Sequence, residues 1–363
     1  MIRSSISGAA LLMISASRAH GGVLPYHLTD LGTLGGDQSA AYAISSAGQV
    51  VGDSSLTGNS GLHAFSKFAG GLSDLGVLDG YTNSTATAVN SSGQIVGYSF
   101  TATPQLSLNR AYYYSNGMMV DLGTLGGSGS QAFGINGAGN VVGQSDDAGG
   151  NRHAFFYSSE TMKDLGTLGG SESLAYGINS NSVIVGSANL AGDSNYHAFS
   201  YRQGVMSDLG ALEDGTSVAY AINDAEMIVG YSMANQQRHA TLFNAGSVLD
   251  LDPTGHSGSE AYGINSAGQI VGYAGNKAFL YTNGAMYDLN SVLDGSSDGW
   301  WLLAALGIND SGCIVGYGTS PQGDSHAFLL TPVPEPPALL TMMIFVAIAS
   351  IRIHRRRVVA HQP

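Results

Sequence analysis

Short apolar stretches recur along the whole chain and alternate with turns rich in glycine, serine and asparagine. In one example, A-Y-G-I-N (261–265) and Q-I-V-G-Y (269–273) flank N-S-A-G, while K-A-F-L-Y (277–281) and M-Y-D-L (286–289) flank T-N-G-A. Apolar runs of this length between turn signals predict strands, and Asn283-Gly284 is a hairpin signal. Because the apolar positions do not alternate strictly, we expect small sheets that are covered on both faces.

This four-strand pattern is repeated seven times between residues 26 and 331, with a period of about 44 residues. A D-L motif begins at Asp30, Asp74, Asp121, Asp164, Asp208, Asp250 and Asp288. An I-N-x-x-G-x-I-V-G motif ends at Gly52, Gly97, Gly143, Gly186, Gly230, Gly272 and Gly316. An H-A-F motif, with substitutions, begins at His63, Arg110, His153, His197, His239, Lys277 and His326.

The length and strand content of the repeat predict the fold class. Four strands in about 44 residues are typical of a β-propeller blade, whereas a β-helix rung is usually shorter. The first unit opens with a fourth strand at 26–31, and the last unit stops after its third strand at 327–331. The sequence therefore predicts an all-β fold: a closed seven-bladed β-propeller of four-stranded blades, the last blade completed by the N-terminal strand.

The repeat resembles the HAF-repeat family of bacterial extracellular proteins, on the strength of the H-A-F, D-L and I-N-x-x-G-x-I-V-G motifs. The resemblance covers nearly everything between the two chain ends. It implies an extracellular protein, and the family is defined by its repeat rather than by an activity.

Residues 1–19 have the pattern of a signal peptide. Arg3 precedes an apolar run from Ala9 to Ala16, and Ser17 and Ala19 are small residues at the −3 and −1 positions of a cleavage site. The run is too short to span a bilayer, so we expect export; a frayed terminal strand is the alternative.

Residues 332–363 have the pattern of a second targeting signal. A proline cluster precedes an apolar run from Ala338 to Ile351 and a basic end, which predicts a transmembrane helix with the body outside the cytoplasm. This order of parts resembles the PEP-CTERM sorting signal, with the motif residues Val333, Pro334, Glu335, Pro336, Arg355, Arg356 and Arg357. The resemblance implies transient anchoring in the inner membrane, cleavage by an exosortase-type protease and release to the cell surface. A plain C-terminal anchor is the alternative.

The charge of the body limits its partners. Residues 20–332 carry 25 acidic and 7 basic side chains. A surface this acidic repels nucleic acid and anionic lipid, because phosphate binding needs clustered lysine and arginine. A single cysteine, Cys313, excludes an intramolecular disulfide framework.

The repeated polar residues are best explained as architecture. Histidine, arginine and lysine share the first H-A-F position, and what they have in common is hydrogen-bond donation rather than metal binding. We expect each to donate to the aspartate of a D-L motif, whose carboxylate also accepts turn amides. The repeated asparagine before I-V-G is expected to be a turn residue.

Two places differ between repeats and are candidate sites. The loop Q-S-D-D-A-G-G-N-R (144–152) offers Asp146, Asp147 and Asn151 as oxygen ligands for Ca²⁺, the one cofactor the sequence suggests; a solvated turn is the alternative. An insertion in the seventh unit holds Trp300 and Trp301, whose rings suit sugar faces. Adjacent residues on a strand point to opposite faces, so at least one of the two is expected in the core.

No linear catalytic motif is present. The sequence favours a non-enzymatic, exported cell-surface or matrix protein that binds exopolysaccharide or surface proteins through its loops. The alternatives are a calcium-dependent adhesin and a glycan-active hydrolase on a propeller scaffold. Three or more ionisable residues from different repeats, converging in one pocket, would favour the hydrolase.

Overall fold

The computed structural model describes residues 23–103, 106–193, 195–213, 215–244, 246–252 and 258–334. The fold in these ranges is all-β, with 3₁₀ turns at Thr57–Asn59 and Leu289–Ser291. Within them no helix is long and apolar enough to cross a membrane. The predicted signal peptide, the predicted transmembrane helix and the sorting residues Glu335, Pro336, Arg355, Arg356 and Arg357 lie outside the described residues.

The strands of this described part follow one another at short intervals. They are β1 (Tyr26–Gly32), β2 (Gly35–Ile44), β3 (Val50–Leu56), β4 (Leu62–Lys67), β5 (Ser73–Asp74), β6 (Asn83–Val89), β7 (Ile95–Thr103), β8 (Leu106–Ser115), β9 (Met118–Asp121), β10 (Gly126–Ile135), β11 (Val141–Asp147), β12 (Arg152–Ser158), β13 (Thr161–Asp164), β14 (Gly169–Ile178), β15 (Ile184–Leu190), β16 (Tyr196–Arg202), β17 (Val205–Asp208), β18 (Ser217–Ile222), β19 (Ile228–Ala234), β20 (Gln237–Asn244), β21 (Ser247–Asp250), β22 (Ser259–Ile264), β23 (Ile270–Ala274), β24 (Lys277–Thr282), β25 (Ala285–Asp288), β26 (Trp301–Ile308), β27 (Ile314–Thr319) and β28 (Ser325–Pro332).

Consecutive strands pair antiparallel in four-stranded sheets. β6–β9, β10–β13, β14–β17, β18–β21 and β22–β25 each form such a sheet. β2–β5 form a similar group, and β26, β27 and β28 are followed at the edge by β1. A single parallel contact between Gln38 and Ser325 joins these last two groups into one mixed eight-stranded sheet.

The first and last strands of the described chain are direct neighbours. β1 pairs antiparallel with β28, in a register that runs from Tyr26 opposite Pro332 to Gly32 opposite Ala327. The backbone amide of Val333 also donates to the Pro25 carbonyl at 2.8 Å. The edge of β28 is therefore covered by the N-terminal strand.

Several strands are longer than the four or five residues predicted. β2, β8, β10 and β14 each contain ten residues. In β10 the extension comes from a register shift between Gly126 and Ser130, which lets Gly126 pair with Asp147 at the far end of β11. A bulge of this kind keeps a strand paired after its regular ladder ends. In the 261–289 unit the predicted strands agree with β22–β25 to within a few residues at each boundary.

The glycine of I-V-G allows neighbouring strands to approach closely. A Cβ built on Gly143 would lie 2.0 Å from the Gln131 carbonyl oxygen and 2.8 Å from Cε1 of Phe155. Both distances are far below van der Waals contact, so no side chain fits at this position. The buried ring of the H-A-F motif occupies the space that the glycine leaves free.

The core lies between the sheets rather than inside any one of them. The buried apolar side chains of the described chain fall into clusters shared by consecutive sheets. One cluster joins Val142 and Ala154 of one sheet to Ile184 and Phe199 of the next. Covering both faces of each sheet explains why the apolar positions did not alternate along the strands.

Polar side chains also connect consecutive sheets. The Nδ2 amide of each turn asparagine donates to the carbonyl at the equivalent position of the next sheet; the donors are Asn90, Asn136, Asn179, Asn223, Asn265 and Asn309. The last of these bonds, 3.1 Å long, runs from Asn309 to Ser45 of the first repeat. The predicted turn role is confirmed, since each Oδ1 accepts turn amides, and the bond to the next sheet is an additional one.

Candidate functional site

A cavity of about 730 Å³ is lined mainly by the first strands of the sheets. Its wall includes one residue from each repeat, and five of these seven residues are aromatic. Each lies immediately before the last Ala-Ile, Ala-Val or Gly-Ile pair of its strand. These residues are Tyr42, Thr87, Phe133, Tyr176, Tyr220, Tyr262 and Leu306. A cavity of this size is in the usual range for a small-ligand site.

Strand alternation explains why these side chains face the cavity. The preceding alanine of each strand, such as Ala175 or Ala219, is fully buried in the core between sheets. Successive side chains on a strand point to opposite faces, so the next residue, Tyr176 or Tyr220, points the other way. The large ring therefore reaches the cavity while the small alanine permits close packing of the sheets.

The rings form a continuous aromatic wall on one side of the cavity. Phe133 and Tyr176 are stacked with centroids 5.3 Å apart, Tyr176 and Tyr220 meet edge to face at 5.2 Å, and Tyr220 lies 5.2 Å from Tyr262. These separations are typical of favourable aromatic pairs. The wall ends at Thr87 and Leu306, which are not aromatic, and the cavity extends past them to Gln38 and Asp53.

Asp53 is a buried carboxylate in this cavity wall. It is 6% exposed and accepts a 2.8 Å hydrogen bond from the Thr85 hydroxyl. Burial raises the pKa of Asp53 to about 6, although the hydrogen bonds from Thr85 and Tyr42 act in the opposite direction. At neutral pH the group is therefore largely ionised but easily protonated.

A second buried carboxylate, Glu260, lies behind the aromatic wall. It is 1% exposed and accepts hydrogen bonds from the Tyr220 hydroxyl at 2.9 Å, from the Tyr273 hydroxyl at 3.1 Å and from the Arg238 guanidinium. The ion pair with Arg238 compensates the buried charge. Because Tyr220 is held by this network, Glu260 positions part of the wall.

The phenols of the wall are neutral hydrogen-bond donors. Burial raises the pKa of Tyr176 to about 12, and burial together with the Glu260 carboxylate raises the pKa values of Tyr220 and Tyr262 further. The cavity thus combines flat aromatic rings, neutral phenols, of which Tyr220 already donates to Glu260, and the Asp53 carboxylate.

The predicted tryptophan site lies outside this cavity. Trp300 is half-buried and packs against a core cluster, with its ring centroid 6.4 Å from the His326 ring. Trp301 is 44% exposed, and the Lys277 ammonium lies 5.6 Å from its centroid. Trp300 therefore contacts the core without being buried in it, and Trp301 faces solvent.

The predicted calcium loop closes a hairpin between β11 and β12. Both oxygens of the Asp147 carboxylate accept hydrogen bonds from Asn151, from its amide at 2.8 Å and from its side chain at 3.2 Å. Asp146 instead accepts from the Ser128 hydroxyl at 2.8 Å. No group of three or more His, Cys, Asp or Glu residues that could hold a metal occurs in the described ranges.

The predicted contacts of the repeated aspartates are present in every repeat, although Arg110 meets Asp121 as an ion pair at 3.5 Å and not as a hydrogen bond. Each D-L aspartate pairs with the basic residue of an H-A-F motif: Asp74 with His63, Asp121 with Arg110, Asp164 with His153, Asp208 with His197, Asp250 with His239, Asp288 with Lys277 and Asp30 with His326. Each also accepts from the amide two residues further on, as in Gly210 to Asp208 at 2.7 Å. These residues are structural.

The aromatic wall was not anticipated from the sequence. Its signal is the variable position between the small residues in A-Y-A-I, A-T-A-V, A-F-G-I and A-L-G-I. The repeats differ in their loops, but the differences that shape the cavity lie within the strands. A second variable position follows I-V-G, where Asp53 stands in place of Tyr98, Tyr231, Tyr273 and Tyr317.

Comparison with solved structures of TM-score 0.50 or above supports the propeller architecture. No protein-family model matches the chain, and no curated protein matches it. The β-propeller domain of the Trilobed protease from Pyrococcus furiosus, described as having an open velcro topology, is similar in structure: the TM-score is 0.52 at 8% identity, over 86% of this chain and 96% of that one.

Two further solved structures are similar over most of this chain but are longer. A Mycobacterium tuberculosis puromycin-hydrolyzing peptidase gives a TM-score of 0.50 at 10% identity over 88% of this chain. TolB from Acinetobacter baumannii gives 0.43 at 12% identity over 83%. The chain spans only 56% of the peptidase and 66% of TolB. At these identities the similarity concerns the fold: a β-propeller scaffold of four-stranded antiparallel sheets.

Proposed function

We propose that the repeats form a closed seven-bladed propeller with the central cavity on its axis. Seven repeats, the pairing of β1 with β28 and the Asn309–Ser45 hydrogen bond support this arrangement. A core cluster that joins Val315 and Ala327 to Ala41 and Phe65 is a further support. Closure removes the exposed edge of the last sheet.

The function we propose is binding of an exopolysaccharide in the central cavity by a non-enzymatic surface protein. The observation that carries this proposal is the aromatic wall from Phe133 to Tyr262. Flat amphipathic rings with hydroxyl donors suit sugar rings, which have apolar faces and hydroxyl edges. The cavity, rather than the loops, is where we place the contact.

Binding is favoured over glycoside hydrolysis by the disposition of the acids. Hydrolysis of a glycosidic bond uses two carboxyl groups that face one substrate. Asp53 and phenols from several repeats converge in this cavity, which is the condition expected to favour a hydrolase. The phenols, however, have raised pKa values and stay neutral, and the nearby Glu260 does not line the cavity and is paired with Arg238. Among the described residues that line the cavity, Asp53 is the one carboxylate.

The location we propose is the cell surface or extracellular matrix. It rests on the resemblance of the repeat to HAF proteins and of the tail to PEP-CTERM signals, together with the acidity of the body. In this proposal an exosortase-type protease removes the tail, and the membrane contact through the apolar segment 338–351 is transient.

The test is a glycan array probed with the purified full chain, followed by calorimetry on any sugar that binds. Tyr176→Ala should abolish binding, whereas Tyr176→Phe, which keeps the ring, should retain most of it. Tyr81→Ala, which changes a tyrosine outside the cavity, is the matched control. Binding that survives Tyr176→Ala in a folded protein would place the contact elsewhere.

The same binding experiment also tests whether binding depends on calcium. If the Asp146 and Asp147 loop holds Ca²⁺ and the protein is a calcium-dependent adhesin, binding and the melting temperature should both fall when EDTA is added. Binding that is unchanged in EDTA favours the cavity without a metal.

A further inference from the structure

Asp53 is a buried carboxylate that faces an open cavity, and no basic side chain of the described ranges forms an ion pair with it. The groups that interact with it are the hydroxyls of Thr85 and Tyr42. Glu260, which is buried to a similar extent, is compensated by the Arg238 guanidinium. A buried carboxylate without a counter-charge is costly, and such groups occur more often where a ligand supplies the missing charge.

The position of Asp53 in the repeat shows that the acid is not required by the architecture. The residue after I-V-G is tyrosine in four of the other repeats, glutamine at Gln144 and serine at Ser187. Opposite Asp53 in the strand pairing is Ala40, a small residue that leaves space, whereas Glu260 stands at the same place opposite Tyr273. The acid and the space beside it occur together in one repeat.

The aromatic wall occupies another part of the same cavity. Phe133, Tyr176, Tyr220 and Tyr262 line it together with Asp53. Aromatic faces attract cations through the ring quadrupole, and a carboxylate in the same low-dielectric space strengthens the attraction. Rings and a carboxylate around one cavity are the features that recognise an organic cation.

We propose that the cavity selects a positively charged sugar unit, an amino sugar whose nitrogen is cationic, with Asp53 as the counter-charge and the aromatic wall as the stacking surface. This inference rests on the proposed polysaccharide binding and specifies its ligand class. The body carries 25 acidic and 7 basic side chains between residues 20 and 332, so long-range attraction acts in the same direction.

Protonation of Asp53 provides a second test of its role in the cavity. The titratable groups that face Asp53 are Tyr42, Tyr98 and Tyr112, and the pKa of each is raised, so they stay neutral in weak acid. Asp53, with a pKa of about 6, is the group that changes charge there. Acidification should therefore weaken the binding of a permanent cation and leave that of a neutral sugar unchanged.

The experiment is calorimetric titration of the full chain with two oligosaccharides of equal length. One is a glucosamine tetramer with trimethylated, permanently charged nitrogens, and the other is the N-acetylglucosamine tetramer. We expect the cationic tetramer to bind about tenfold more tightly at neutral pH. Asp53→Asn should abolish the difference, whereas Asp79→Asn, which removes an exposed charge outside the cavity, should not.

The possible results separate this inference from the proposed function. Equal affinity for the two tetramers would overturn the cation selectivity and leave polysaccharide binding standing. A preference that persists in Asp53→Asn, or that does not weaken on acidification, would assign the selectivity to overall acidity and also overturn the inference. Binding of neither tetramer, nor of any glycan on the array, would overturn both.

Discussion

The hydrogen bonds of Asn179 predict how strongly a single turn residue holds two sheets together. Its Oδ1 accepts from the amides of Asn181 at 3.1 Å and Val183 at 2.9 Å, and its Nδ2 donates to the Asn223 carbonyl at 3.3 Å. The residue is 3% exposed, so water cannot replace these bonds.

The protein itself contains the replacement that measures this contribution. Ser45 takes the asparagine position in the first repeat, and its hydroxyl accepts a single turn amide, from Gln49 at 3.0 Å. Asn179→Ser should therefore lose two of three hydrogen bonds. At about 1 kcal/mol net for each buried bond, the free energy of unfolding should fall by about 2 kcal/mol.

The assay is urea unfolding followed by tryptophan fluorescence and circular dichroism, with coincident transitions as the check on two-state behaviour. Ser180→Ala, at the exposed neighbouring position, should change stability by less than about 0.5 kcal/mol. The reciprocal change Ser45→Asn should stabilise the protein by about 1 kcal/mol through a new bond toward the second repeat. Asn179→Ser within about 0.5 kcal/mol of wild type would refute the reasoning.

Three further predictions concern packing, titration and closure. Gly143→Ala should destabilise by about 3 kcal/mol or prevent folding, because its Cβ would lie 2.0 Å from the Gln131 oxygen, whereas Gly137→Ala, with free space around it, should be nearly neutral in the same urea assay. Burial raises the pKa of Asp53 from 3.8 to about 6, so the folded state binds more protons than the unfolded chain and stability falls as pH rises through this window, by about 3 kcal/mol in total. Asp53→Asn should flatten that slope in unfolding experiments between pH 4 and pH 8, and an unchanged slope would contradict the assignment. Deleting residues 26–31 should expose the β28 edge and cause aggregation in light scattering, while a soluble, equally stable truncation would argue against closure.

The repeat made most of the architecture predictable. The motifs at fixed spacing located the strands, the turn residues and the pairing of aspartates with basic residues, as His197 with Asp208 illustrates. These features were predictable because they depend on local turn chemistry and on contacts that every repeat makes in the same way. The lengths of the strands were not predicted, although the extensions at Gly35, Gly126 and Gly169 share the local sequence G-T-L-G-G, which marks the register shift.

The candidate site could not be predicted in the same way. Tyr42 and Tyr262 are 220 positions apart in the sequence, yet both line one cavity. In the sequence, each has the pattern of an ordinary strand residue. The sequence shows that this position on the first strand varies between repeats. It does not show that side chains from different repeats point into one cavity.

The sequence by itself determined the four-stranded unit, its sevenfold repetition and the residues that link one sheet to the next, because each of these follows from short-range patterns. The tertiary structure alone determined which side chains line the cavity between the repeats. It placed aromatic rings from several sheets in one wall, paired the nearby Glu260 with Arg238, and left Asp53 facing the cavity with no basic partner in the described part of the chain. The physical reason is that burial and charge compensation depend on neighbours distant in sequence. A carboxylate is therefore a candidate binding site only when the packing of the sheets determines which side chains surround it.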